Sequence, residues 1–169
     1  MIPKKLKNIS GWIFDIMSSH SAQRKLSRYY KIFNIHPSVK IFQIHETTFR
    51  GNIFVSENTY FNRCWLETGK NSKIVIGKWC AIGYNVFIMS ITHDVQYATG
   101  PENKRPAIEA DINIGDYVWI GANVFVREGV KIGSHAIIGA NSVVTKDIPD
   151  YAIAAGVPAK VLRIKEREK

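Results

Sequence analysis

His93 closes the run IMSITH and is followed at once by Asp94. An imidazole with a pKa near 6.5 can take a proton from a hydroxyl at neutral pH and give it back, so this residue type suits general acid–base work. Residues 94–113, just beyond it, carry Gly100, Pro101 and Pro106 and break the apolar pattern on either side. Long excursions in a compact chain usually carry function. The two cysteines, Cys64 and Cys80, have neither metal-ligand nor redox spacing and read as buried free thiols of a reducing compartment.

The elements that must position His93 repeat with a period of six. From Ile76 the chain runs IGKWCA, IGYNVF and IMSITH and then, after the interruption, IGDYVW, IGANVF, VREGVK, IGSHAI, IGANSV and VTKDIP. The first position is Ile or Val each time, and the fifth is small or β-branched. The fourth includes Asn85, Asn123, Gly129, His135, Asn141 and Asp147, types that tolerate left-handed backbone. Such hexads predict short strands with positions five and one facing inward, position six facing outward, and corners at positions two and four. Three strands close a triangular coil of three hexads, and coils stack about 4.8 Å apart as a parallel β-helix. Position six then puts Phe87, His93, Trp119 and Phe125 on the outer wall, where another surface is expected to cover the aromatics.

These hexads resemble the hexapeptide-repeat acyltransferase family. The closing run VTKDIPDYAIAAGVPAKVLR (residues 144–163) is similar to its galactoside, maltose and polysaccharide O-acetyltransferase branch. The resemblance covers residues ~55–165 and implies a left-handed coil, an all-β solenoid with an extruded loop at 94–113. It also implies a homotrimer with active sites in the clefts between prisms, acetyl-CoA as co-substrate, no metal, and His93 as catalytic base. The oxyanion donor falls near Ala122. Ala122, Ala140 and Thr145 match positions that touch the pantetheine arm, and Lys160 and Arg163 match positions that meet CoA phosphates. Lys160 stands where some relatives have Arg, so it offers a point charge without a bidentate fork. Asn62 lies in YFNRC, which is similar to a run near the acceptor pocket of sugar acetyltransferases. Asp94, next to His93, is placed to tune or orient it, and Trp119 is expected at the interface or cleft wall. Together the three are the expected substrate-binding residues. The expected acceptor is a hydroxyl of a saccharide, for example in surface polysaccharide assembly. Antibiotic, amino-sugar and serine acceptors are alternatives within the superfamily. The γ-type carbonic anhydrases use the same coil, but their zinc needs three histidines. Only His93 and His135 lie in the repeats here, at different hexad positions.

Residues 1–40 read as a separate helical cap before a coil spanning 41–165. Leu6, Ile9, Ile13 and Ile16 share one helical face within 4–17, and Ala22, Leu26, Tyr29, Tyr30 and Phe33 share another within 22–33. Of the net charge of +9, +7 lies in residues 1–50, which hold nine Lys/Arg against Asp15 and Glu46. That excess fits a solvated face or peripheral contact with a membrane. With no recognisable nucleic-acid motif, a non-catalytic binding protein is the weaker alternative. Asp15 interrupts WIFDIM, which argues against a cleaved signal, and no apolar run reaches the roughly 20 residues of a membrane span. A cytoplasmic protein, in places peripheral to the inner membrane surface, is the resulting expectation.

Overall fold

A computed structural model describes residues 19–44, 46–97 and 106–166. The chain winds about five turns of a left-handed parallel β-helix, with one short helix at its N-terminal end. Three flat faces result. Face 1 stacks Asn34–Ile35, Asn52–Val55, Lys73–Ile76, Ile112–Ile114 and Lys131–Ile132. Face 2 stacks Lys40–Ile41, Tyr60–Phe61, Ala81–Ile82, Trp119–Ile120, Ile137–Ile138 and Ala152–Gly156, and ends in the antiparallel edge strand Ala159–Ile164. Face 3 stacks Thr48–Arg50, Cys64–Glu67, Val86–Met89, Phe125–Val126 and Val143–Val144.

The inward ladder is apolar because a prism this thin has no other core. All nine first-position residues, from Ile76 to Val144, are 3% exposed or less. Fifth-position residues Val118, Val124 and Ala136 are equally buried. Each fully buried Ile or Val contributes on the order of 1.5–3 kcal/mol. The exception among the fifth positions is Thr92, which is exposed. The coil is left after Ser90, before Thr92 would reach the core.

Corners turn through left-handed backbone. Asn85, Asn123, His135 and Asn141 have φ between 55° and 60°, and Gly129 has φ 79°. Asp147, expected among them, is not in that region. Trp79 and Tyr117 are, with φ of 58° and 57°. Bulky residues are costly there, and stacking offsets part of the cost at one of them: the His135 ring lies between Tyr117 and Tyr151, at centroid distances of 4.8 and 4.6 Å. Another corner is tied by an amide ladder, in which Asn85 donates to Asn123 and Asn123 donates to Asn141. Position-two glycines let the coils close up. A Cβ on Gly121 would lie 2.7 Å from the Ala140 nitrogen of the next coil.

Residues 19–32 form a helix, α1, across the N-terminal end of the prism. Tyr29 and Phe33 are buried with Phe49 and Phe61 beneath them. The Tyr29 hydroxyl and the Lys25 ammonium both donate to the Thr47 carbonyl, at 2.9 and 2.8 Å. The helix expected over 4–17 lies outside the described residues. The first rung of the coil is Asn34–Ile35, upstream of the boundary drawn at residue 41. Ile35 stacks on Val55 and Val55 on Ile76. Neither interval is a whole number of hexads, so no strict period announces these rungs.

The excursion also differs from its expected limits. Ile91–His93 pairs antiparallel with Ala107–Glu109, so the coil is already left at residue 91, and it resumes at Ile112. Ile132 follows Ile114 down the ladder after three hexads of chain. The interval from Ile76 to Ile114 holds as much coil and, in addition, the whole hairpin. Antiparallel pairing satisfies the backbone of the hairpin's base as parallel stacking does in the coil. The Glu109 carboxylate accepts from Asn71 N at 2.6 Å, and the Ser72 and Ser90 hydroxyls meet at 2.8 Å, which pins the base to the coil above.

Candidate active site

His93 stands at the outer end of a hairpin strand, opposite Ala107, with its side chain exposed. It is therefore not the sixth residue of a coil wall, as the hexad frame suggested. The hairpin carries it beyond the prism edge where face 3 turns into face 1. The Asp94 Oδ1 accepts from Gln96 N at 2.9 Å and caps the 3-10 turn Val95–Tyr97, so that oxygen is turned to the backbone that follows. Thr145, half-buried, lies at the same prism edge two coils further on.

Ala122 and Ala140 stack on a different edge, between faces 2 and 3, where Asn141 N donates to the Ala122 carbonyl at 2.9 Å. The backbone N–H groups of Tyr84, Ala122 and Ala140 donate to no acceptor among the described residues. They form a column of free donors at successive coils. Asn62 sits higher on this edge, in the place a glycine takes in later coils, and its Nδ2 donates to the Ile82 carbonyl at 3.3 Å. Its role as an acceptor ligand would compete with that bond.

Trp119 is 57% exposed, between inward-facing Val118 and Ile120, as the period requires. On face 2 its row continues through Ile137 and Ile153 to Arg163 on the edge strand. Three strand spacings separate Trp119 from Arg163, about 14 Å. Lys160 lies nearer the turn, opposite Ala155, and both cations are exposed. The turn contains a cis Val157–Pro158 peptide. Phe87, 43% exposed, and Phe125 pair on face 3.

Thus the single chain gathers Asn62, Ala122 and Ala140 on one edge, His93, Asp94 and Thr145 on another, and Trp119 and Arg163 on the face beside the first. It brings His93 and the free donor column to opposite sides of face 3. A cluster the hexad pattern missed lies on face 3 above the hairpin: the Arg50 guanidinium packs 5.1 Å from the Trp65 ring, and Trp65 Nε1 donates to Glu67 at 2.9 Å. No repeat position flags it, because these residues precede the strict hexads. Among the described residues no group of three His, Cys, Asp or Glu side chains is arranged to hold a metal ion. Also among them, no helix is long and apolar enough to cross a membrane. Burial pushes both thiols, Cys64 and Cys80, above their ordinary pKa.

Residues 111–146 match the family model described as bacterial transferase hexapeptide (six repeats). The chain is 37% identical over 123 residues to galactoside O-acetyltransferase of Escherichia coli K12, covering 72% of this chain and 59% of that one. The chain thus spans about three fifths of the length of that curated relative. Among solved structures, a galactoside acetyltransferase in complex with coenzyme A matches with TM-score 0.60 and 34% identity, over 78% of this chain and 62% of that one. A maltose O-acetyltransferase from Clostridium difficile 630 matches with TM-score 0.60 and 30% identity, over 81% and 73%.

Proposed function

The chain belongs to the bacterial transferase hexapeptide family, and from that premise we propose that it transfers an acetyl group from acetyl-CoA to a hydroxyl of a saccharide, with His93 as general base. The observation that carries this reading is the exposed His93 on a hairpin extruded from a hexapeptide coil, in a chain similar to a galactoside acetyltransferase bound to coenzyme A. The saccharide class rests on the galactoside and maltose relatives.

The chemistry asks for one base and good positioning. His93 takes the acceptor proton as the hydroxyl oxygen attacks the thioester carbon. A backbone N–H of the column at Ala122 donates to the oxyanion that forms. As the tetrahedral carbon collapses, the C–S bond breaks, the new C–O bond remains, and His93 returns its proton to the departing sulfur. A thioester is already activated, so no covalent enzyme intermediate is required. Lys160 and Arg163 hold CoA phosphates by charge, while Ala122 and Ala140 of one chain line its arm and Thr145 meets it from the hairpin edge of the next. Trp119 forms part of the wall of the cleft, and Asn62 and Asp94 stand on the acceptor side.

Because His93 and the donor column occupy opposite edges of one prism, the reading includes a site shared between chains. In a homotrimer each prism presents one edge to the hairpin of its neighbour, and threefold closure leaves no unpaired heterologous surface. Catalysis then takes place in a cytoplasmic compartment that supplies acetyl-CoA. The direct test measures thiol release from acetyl-CoA against a panel of galactosides, glucosides, amino sugars, chloramphenicol and serine. Turnover with a saccharide hydroxyl above all others supports the reading. Turnover confined to an amine or to a non-sugar acceptor would overturn its substrate class.

A further inference from the structure

Helix α1 has two unlike sides. One buries Tyr29 and packs Ala22, Leu26 and Tyr30 against the end of the coil. The other exposes Arg24, Arg28 and Lys31, with Gln23, Ser27 and Ile32 among them. Spacings of four and three positions put the three cations in one row. The row is about 10 Å long at 1.5 Å per residue. None of the three has an ion-pair partner among the described residues. The fourth cation of the helix, Lys25, is spent on the Thr47 carbonyl. A row of unpaired cations on the outside of a capping helix does nothing for the fold, since the packing lies on the opposite side.

We propose that this row docks the protein on an anionic lipid surface. Charge complementarity favours a plane of headgroup phosphates, and the neighbouring sequence selects lipid over nucleic acid. Residues 2–17 interleave Lys4, Lys5 and Lys7 with Leu6, Ile9, Trp12, Ile13 and Phe14. Apolar and aromatic side chains among lysines gain free energy in a headgroup–acyl boundary and have no use on a phosphodiester backbone. The row lies at the N-terminal end of the prism, away from the later-coil edges and face that carry Ala122, Ala140 and Trp119. Docking on this outer side therefore leaves Ala122, Ala140 and Trp119 open to solution. A cyclic assembly holds its copies at one height along the axis, so their rows reach the same surface together.

Co-sedimentation of the full chain with phosphatidylcholine vesicles, with and without phosphatidylglycerol, tests this. Binding is expected only with phosphatidylglycerol, and it should fall as salt is raised. Replacing Arg24, Arg28 and Lys31 together by Gln should weaken it by about 100-fold or more, at roughly a factor of five per cation in each docked chain. Ser27→Glu, which places one carboxylate inside the row, should weaken it less. The swap Arg24→Lys, Arg28→Lys, Lys31→Arg should preserve it. Acetyl transfer to a soluble acceptor should be unchanged in all three, which separates a failure of docking from a failure of the enzymatic reading. Equal binding by the wild type and the Gln variant would overturn the proposal. So would tighter binding to duplex DNA than to the anionic vesicles at the same salt.

Discussion

Above and below the hairpin, the prism solves the same problem in two ways. Below it, from Ile112 onward, rungs recur every third hexad until the last two, Ile132 to Ile148 and Ile138 to Ala154, which are shorter. Corners there are mainly glycine, asparagine and alanine, and the core is Ile, Val and Ala. Above it, from Asn34 to Met89, the intervals depart from three hexads on every face. Ile35, Val55 and Ile76 on face 1, and Ile41, Phe61 and Ile82 on face 2, follow one another at longer spacings. On face 3, Phe49 to Leu66 is shorter and Leu66 to Ile88 longer. There the core takes in Phe49, Phe61 and Leu66, and α1 closes the end with Tyr29 and Phe33. Uneven coils abandon the rule of one aliphatic per corner, and aromatic rings fill the space. The difference teaches where function can be lodged. Regular coils stack so closely that a Cβ at Gly121 has no room, whereas the junction between the two kinds of coil accommodates a whole hairpin and His93.

If the hairpin carries chemistry and the coils carry stability, His93→Ala should cost most in rate and nothing in fold. Turnover should drop by about 10² to 10⁴, with thermal unfolding and CoA binding unchanged. A variant keeping near-wild-type kcat with the best acceptor would break the comparison at its functional end.

The stability end is sharpened by truncation in the regular coils. Ile120→Ala removes a ladder residue that is 0% exposed and should cost about 2–5 kcal/mol, read from denaturant midpoints. Loss much below that range would mean that the regular coils relax around cavities and are not the stiff half.

Trp119→Ala changes no inward residue, so the coil should survive and its unfolding midpoint should hardly move. Activity should fall about tenfold, the order expected for one lost wall of a cleft. Light scattering on the same samples separates a weakened assembly from a trimer with a damaged site. Lys160→Ala with Arg163→Ala should have the smallest effect, a several-fold rise in the KM for acetyl-CoA, because exposed cations are screened. The rise should shrink for a donor lacking the 3′-phosphate. Equal penalties for both donors would argue against contact with that group.

Legibility followed regularity. The nine Ile and Val ladder positions, the outward Trp119 and the corners at Asn85, Asn123 and Asn141 were readable because period six makes each coil report the next. Asn34–Ile35 was not, since coils of uneven length have no fixed frame. His93 was recognisable as chemistry, but its hexad assigned it to the wall; only the pairing of Ile91–His93 with Ala107–Glu109 puts it on the hairpin. Tyr117 and Trp79 defy the local preference for small corner residues, and at Tyr117 the compensation is a stack with His135, which no local pattern displays. The Arg50–Trp65–Glu67 cluster needed two early strands, off the hexad frame, to be set in register, with Thr48 beside Trp65 and Arg50 beside Glu67.

The central claim is that one edge of each prism supplies the CoA groove and the next chain supplies the base. Chains bearing His93→Ala can be mixed, after unfolding and reassembly, with chains bearing Ala122→Trp, which fills the groove. Each variant alone should be nearly inactive and folded. Random mixing of equal amounts should restore about a quarter of wild-type activity, because only a groove from the first variant facing a histidine from the second is complete. Mixed oligomers that remain as inactive as their parents would contradict the shared site.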